Sequence, residues 1–138
     1  MAVADRLRPT LLGIARELRR ERIAGVSSQQ VALLVAIKHS PGVTVGQLAS
    51  EERVSTAAMS KRVSRLERNG LVERTPSESD RRRIGLTLTE EGQRVLRRVR
   101  SRRTAWLASR LGSLSPDELA AIGAAAEPLA RLLAEVRA

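Results

Sequence analysis

At Asn69-Gly70 the hydrophobic period of this 138-residue chain changes, and that change narrows the folds open to it more than any other feature. Up to that point apolar residues recur every three or four positions, as they do along helices. Then come two short extended runs, residues 71–75 and 84–88, after which helical spacing returns. Between the runs lie Pro76-Ser77-Glu78-Ser79-Asp80 and three arginines, so the sequence predicts a β-hairpin with a long, polar, basic tip.

Local start and stop signals divide the rest into helices. Residues 4–22 carry Leu7, Leu11, Ile14 and Leu18 on one face; Pro9 places the start of the helix proper near itself, and Gly25 closes the segment. Ser27 or Ser28 caps a second helix that runs to about His39 and stops at Pro41-Gly42. Thr44-Val45-Gly46-Gln47 reads as a capping box opening a short third helix, to about Glu52. Ser55 caps a fourth, which ends on the left-handed stop Asn69-Gly70. Thr89 caps a fifth over residues 90–111, and Ser115-Pro116-Asp117-Glu118 starts a sixth. Three helices followed by a hairpin is the winged-helix order, here with one helix before it and two after.

Composition bears on the partner. The formal charge of +10 comes from 23 Arg and 2 Lys against 15 acids. Guanidinium groups bind phosphate oxygens in a bidentate fork, so a polyanion is expected: nucleic acid first, an anionic membrane surface second. With no cysteine and the single histidine His39, disulfides, thiolate zinc sites and multi-histidine metal sites are excluded. Trp106 is the only aromatic residue, which leaves no platform for stacking single-stranded bases and favours duplex DNA. Asp5, Arg6 and Arg8 interrupt any secretory signal, and no run reaches the ~18 apolar residues of a membrane span, so a cytoplasmic protein is expected.

The fourth helix carries the chemistry. Met59, Val63 and Leu66 form a narrow apolar stripe; opposite lie Ala57, Lys61, Ser64 and Arg68, with Ser60 and Arg65 on the shoulders. Small residues let a backbone approach the major groove, while Lys and Arg reach guanine edges or phosphates. A basic face on an ordinary solvated helix reads much the same. The short helix before it and the Glu52-Arg53-Val54 turn favour a helix-turn-helix.

These residues carry a resemblance. Val54-Ser55, Ser60-Lys61, the run from Arg65-Leu66-Glu67-Arg68-Asn69-Gly70 to Arg74, Asp80-Arg81-Arg82 and Leu88-Thr89-Glu90-Glu91-Gly92 are similar to the multiple-antibiotic-resistance regulator (MarR) family. The resemblance implies a regulator whose recognition helix enters the major groove through Thr56, Ala57, Ser60, Lys61 and Arg65. It also implies a wing whose Asp80 orients an arginine, Arg82, into the minor groove. Arginine suits a narrow minor groove, although Asp80 can equally be a turn former and Arg81 and Arg83 phosphate contacts that position without specifying.

A homodimer is expected from the last helix, where Leu119, Ile122, Ala126, Leu129, Leu133 and Val136 alternate spacings of three and four. The resemblance implies that the first, fifth and sixth helices interlock two subunits over a pseudo-palindromic site. The fold expected is thus mainly α with a small β-hairpin wing, one domain over residues 1–138. Its winged helix-turn-helix core (26–89) is flanked by N- and C-terminal dimerisation helices (1–25 and 90–138).

The fifth helix holds seven Arg and no acid between Gln93 and Leu111. Arg94, Arg97 and Arg98 point away from its apolar stripe, toward solvent or phosphates. Arg103 and Arg110 fall on the apolar side and need partners. Ion pairs across a dimer with Glu127, Glu135 or Glu21 are favoured; an anion pocket is the alternative, since MarR-like proteins bind small aromatic acids near there and His39 borders that region in the family. No cofactor, metal or catalytic constellation is expected. The expected function is a sequence-specific double-stranded DNA-binding repressor released by a small anionic or aromatic effector. The alternative is a basic RNA- or ribosome-associated protein on the same fold.

Overall fold

Side chains that bond three residues ahead fix most of the helix starts. The computed structural model of the chain describes residues 1–77, 79–80 and 82–137, the side chains of Glu135 and Arg137 excepted; Arg81 therefore lies outside the described residues. Its elements are α1 (Ala2–Arg20), α2 (Ser28–His39), α3 (Val45–Glu52), α4 (Thr56–Arg68), β1 (Val72–Pro76), β2 (Ile84–Leu88), α5 (Glu90–Leu111) and α6 (Pro116–Arg137). Ser27 and Gln30, and Thr44 and Gln47, close reciprocal capping boxes at α2 and α3. Ser55 accepts the Ala58 N–H at 3.1 Å to open α4. Ser115 and Glu118 repeat the box at α6, with Ser115 N–H donating to the Glu118 carboxylate at 3.0 Å.

One helix start differs from expectation. Helix α1 begins seven residues before Pro9, which lies inside it. The proline forgoes one backbone hydrogen bond, to the Asp5 carbonyl, on an exposed stretch where water can replace it; the Ala- and Leu-rich neighbours carry the helix through. Helix α6 likewise contains Pro128.

The chain forms two compact units, Met1–Arg103 and Thr104–Ala138, each taken by itself below. In the first, the core is aliphatic: Leu34, Ile37, Leu48, Met59, Val63, Leu66 and Leu86 are essentially inaccessible, joined by Val95, Leu96 and Val99 of α5. No helix among the described residues is long and apolar enough to cross a membrane.

The hairpin is antiparallel, with Val72 opposite Leu88 and Arg74 opposite Leu86. Gly42 and Val43, after α2, add a short third edge: Gly42 N–H donates to Leu86 O at 2.9 Å and Leu86 N–H to Val43 O at 2.8 Å. This edge works only because two glycines face each other, since a Cβ on Gly85 would fall 2.8 Å from the Gly42 backbone. At the far end Thr89 donates its hydroxyl to Gly70 O at 2.6 Å and accepts the Gly92 N–H at 3.0 Å, seating α5 on the turn that ends α4.

Candidate nucleic-acid interface

Helix α4 is divided by its own periodicity. Met59, Val63 and Leu66 are fully buried, so the opposite side must face out. Thr56, Ala57, Lys61, Arg65 and Arg68 are exposed there, and Ser60 and Ser64 are half-buried at the margins. The turn before the helix places Arg53 in the left-handed region (φ 55°, ψ 43°), the one non-glycine among the described residues with positive φ.

This face forms one wall of a groove of about 770 Å³. Ala57, Ser60, Lys61, Arg62, Ser64, Arg65 and Arg68 line it from α4, while Ser27, Gln29, Gln30 and Leu33 line it from the start of α2. The α2 residues and Arg62 were not among those expected from the sequence. Helical spacing identifies which residues share a face of one helix, but carries no information about which neighbouring helix end lies across a groove.

Ser64 does not present its hydroxyl to the groove alone. It accepts from the Arg74 guanidinium at 3.3 Å, and the same guanidinium pairs through Nε with Glu67 at 3.3 Å. The only acid on α4 is thereby turned toward β1, leaving the groove face uniformly basic or neutral.

In the wing, Asp80 acts on Arg82 through the backbone: its Oδ1 accepts the Arg82 N–H at 3.0 Å, and its carbonyl accepts the Arg83 N–H at 3.0 Å. Asp80 is thus a turn former that fixes the backbone of Arg82 and Arg83. Arg82 and Arg83 are exposed beyond it, and Ser77 N–H donates to Arg83 O at 2.7 Å across the tip.

The arginines of α5 separate by environment. Arg94 is exposed, as expected, and Glu90 and Glu91, one turn earlier, hold it in surface ion pairs. Arg97 and Arg98 are exposed as expected. Arg103 is half-buried, and its Nε is buried with no hydrogen-bond partner among the described residues. Arg110, in the second unit, is exposed, and its guanidinium lies 5.4 Å from the Trp106 ring centroid. A cation–π contact therefore satisfies Arg110, in place of the buried setting expected for it. Glu127 pairs with Arg131 of its own helix at 3.7 Å. His39 is exposed at the last residue of α2. No cluster of His, Cys, Asp or Glu able to hold a metal occurs among the described residues.

Comparison with known proteins places this geometry. The sequence profile of the MarR family matches residues 24–83, from the loop before α2 through the wing tip. The chain is 30% identical over 134 residues to an HTH-type transcriptional regulator of Mycobacterium tuberculosis, covering 96% of this chain and 94% of that one. It is 33% identical over 95 residues to the HTH-type transcriptional repressor MdtR of Bacillus subtilis, covering 69% and 61%. Among solved structures it resembles Streptococcus pneumoniae FabT in complex with DNA, with a TM-score of 0.63, 26% identity, and 96% and 98% of the chains covered.

Proposed function

Because the chain belongs to the MarR family and is therefore a winged-helix DNA-binding transcriptional regulator, not an enzyme, we propose that it acts as a homodimeric repressor on a pseudo-palindromic operator. The observation that carries this reading is the division of α4: a fully buried Met59–Val63–Leu66 side behind an exposed face of Thr56, Ala57, Lys61, Arg65 and Arg68. The major groove admits one α-helix; Thr56 and Ala57 let the helix N-terminus approach, and Lys61 and Arg65 reach base edges or phosphates. Arg82 enters the adjacent minor groove, with Arg83 and Arg68 on the backbone. Residues 26–89 form the reading part on this view, and 1–25 and 90–138 the dimer-forming parts. The site of action is the cytoplasm, where the DNA is.

Two copies are supported by what single helices leave uncovered. On α1, Leu11, Leu12 and Ile14 are exposed; on α6, so are Leu119, Ile122, Leu132 and Leu133. Rows of this kind at heptad spacing ordinarily meet another helix. The repressor assignment is supported by the resemblance to MdtR.

Release by an effector centres on Arg103, whose Nε needs an acceptor. A glutamate of a second copy supplies it in a ligand-independent regulator, and a small organic acid supplies it in a ligand-released one. Benzoate added to the protein–DNA complex separates the two: dissociation marks the ligand-released form.

The deciding experiment is selection of bound duplexes from a random pool, followed by titration of the enriched site against salt and against structured RNA. Two half-sites about one helical turn apart are expected. Lys61, Arg65, Arg68, Arg82 and Arg83 make ten basic side chains in a dimer, so the slope of log affinity against log salt approaches about −9 if each displaces a counterion. No enriched site, a flat salt dependence or preference for RNA would refute the proposal.

A further inference from the structure

Strand β1 alternates, and its alternation contains an anomaly. Val72 and Arg74 turn inward and Glu73 and Thr75 outward, so an arginine occupies a position where the pleat calls for an apolar side chain. Its guanidinium spans Ser64 and Glu67, one turn apart on the flank of α4 beside β1, at 3.3 Å each. Strand β2 has a separate attachment, since Leu86 is fully buried and bonded on both sides to the Gly42–Val43 edge. Beyond Val72, the contacts of Arg74 are the side-chain hydrogen bonds and ion pairs that join β1 to the recognition helix among the described residues.

We propose that Arg74 is a positioning residue that braces the wing against the recognition helix, so that Lys61 and Arg65 on α4 and Arg82 at the wing tip reach one DNA duplex together. The inference rests on the DNA-reading assignment of α4 and the wing. A planar fork with donors on separate nitrogens holds a hydroxyl and a carboxylate at a fixed spacing and direction; a lysine ammonium, a single point on a flexible stem, fixes neither. The same contact withdraws the Glu67 charge from the DNA-facing side. A slack wing leaves Arg82 present but unplaced, and the cost of fixing it then falls on binding.

Because the chain contains no cysteine, Ser79→Cys accepts a single nitroxide label at the wing tip. In that protein Arg74→Ala is expected to sharpen the spin-label spectrum, while helicity and thermal midpoint stay unchanged. Affinity for the selected operator should fall about tenfold, and Arg82→Ala, costly in the otherwise native chain, should cost less than roughly threefold more in the Arg74→Ala background. An unchanged label spectrum, or an Arg82→Ala penalty equal in both backgrounds, overturns the brace. Should Arg74→Ala fail to fold, the Ser64→Ala, Glu67→Ala pair removes both acceptors and is read the same way. The label measurement needs no DNA, so a failure of the DNA-reading assignment shows up separately, as a native protein that binds no duplex.

Discussion

Replacing Gly92 with alanine sets helix propensity against packing, and the structure says packing wins. On propensity alone, Gly→Ala inside a helix gains up to ~1 kcal/mol. A Cβ on Gly92, however, would lie 2.2 Å from the carbonyl oxygen of Leu71, which is backbone and cannot rotate away. A tolerable carbon–oxygen approach is about 3.3 Å, so α5 must retreat by roughly 1 Å. A gap of that size strains or breaks the Thr89 hydroxyl bond to Gly70 O and the Thr89 N–H bond to Leu71 O, at about 1 kcal/mol each. It also loosens the packing of Leu71, Val95 and Leu96, at about 1–2 kcal/mol. Against the propensity gain, a net destabilisation of about 2–3 kcal/mol is expected. Urea denaturation followed by circular dichroism measures it, at fixed protomer concentration because association contributes to apparent stability. Gly46→Ala in α3 is the control: its nearest contact would be 3.9 Å away, and it should stabilise by a few tenths of a kcal/mol. If Gly92→Ala proves as stabilising as the control, the packing argument fails.

Other substitutions test the remaining parts. Lys61→Ala should weaken operator binding without lowering the thermal midpoint; a loss uniform across operator variants marks a phosphate contact, and one confined to a single base position marks a base reader. Arg53→Gly relieves a left-handed backbone position and should raise stability by about 0.5–1 kcal/mol by denaturant titration; a loss of stability would show that the Arg53 side chain stabilises the turn by more than its backbone costs. The Ser115 backbone N–H, and then its hydroxyl, hold the Glu118 carboxyl below the usual carboxylate range. Its contribution to α6 is therefore complete above the unfolded value and disappears as pH falls through the depressed folded one. Acid titration of helicity should show that loss, and Glu118→Gln should flatten this part of the profile; identical profiles would remove the capping carboxylate from the argument.

Much of the fold was legible because the interactions that set it are local. Ser27, Thr44, Ser55, Thr89 and Ser115 each satisfy a backbone N–H a few residues ahead, so the sequence shows the helix starts without knowledge of any other element. The Met59–Val63–Leu66 stripe likewise determined which side of α4 is buried, and hence which side Lys61 and Arg65 occupy. Pro9 misled for the same reason: a local rule placed the helix start near it, while the exposed surroundings made one lost hydrogen bond tolerable.

The arginines were illegible in proportion to their reach. A guanidinium on a long stem carries five donors, and distance in space, not along the chain, selects its partner. Arg94 and Arg110 took partners three or four residues away on α5, within reach of helical spacing, whereas Arg74 crossed from β1 to Ser64 and Glu67 on α4. The pairings of Gly85 with Gly42 and of Gly92 with Leu71 belong to the same class, because a missing Cβ matters only where two backbones meet. Sequence alone therefore determined the winged-helix order and the exposed side of α4. Only the tertiary structure decided which charges are paired and which stay exposed, since Arg74 on β1 reaches Ser64 and Glu67 only once the hairpin lies against α4.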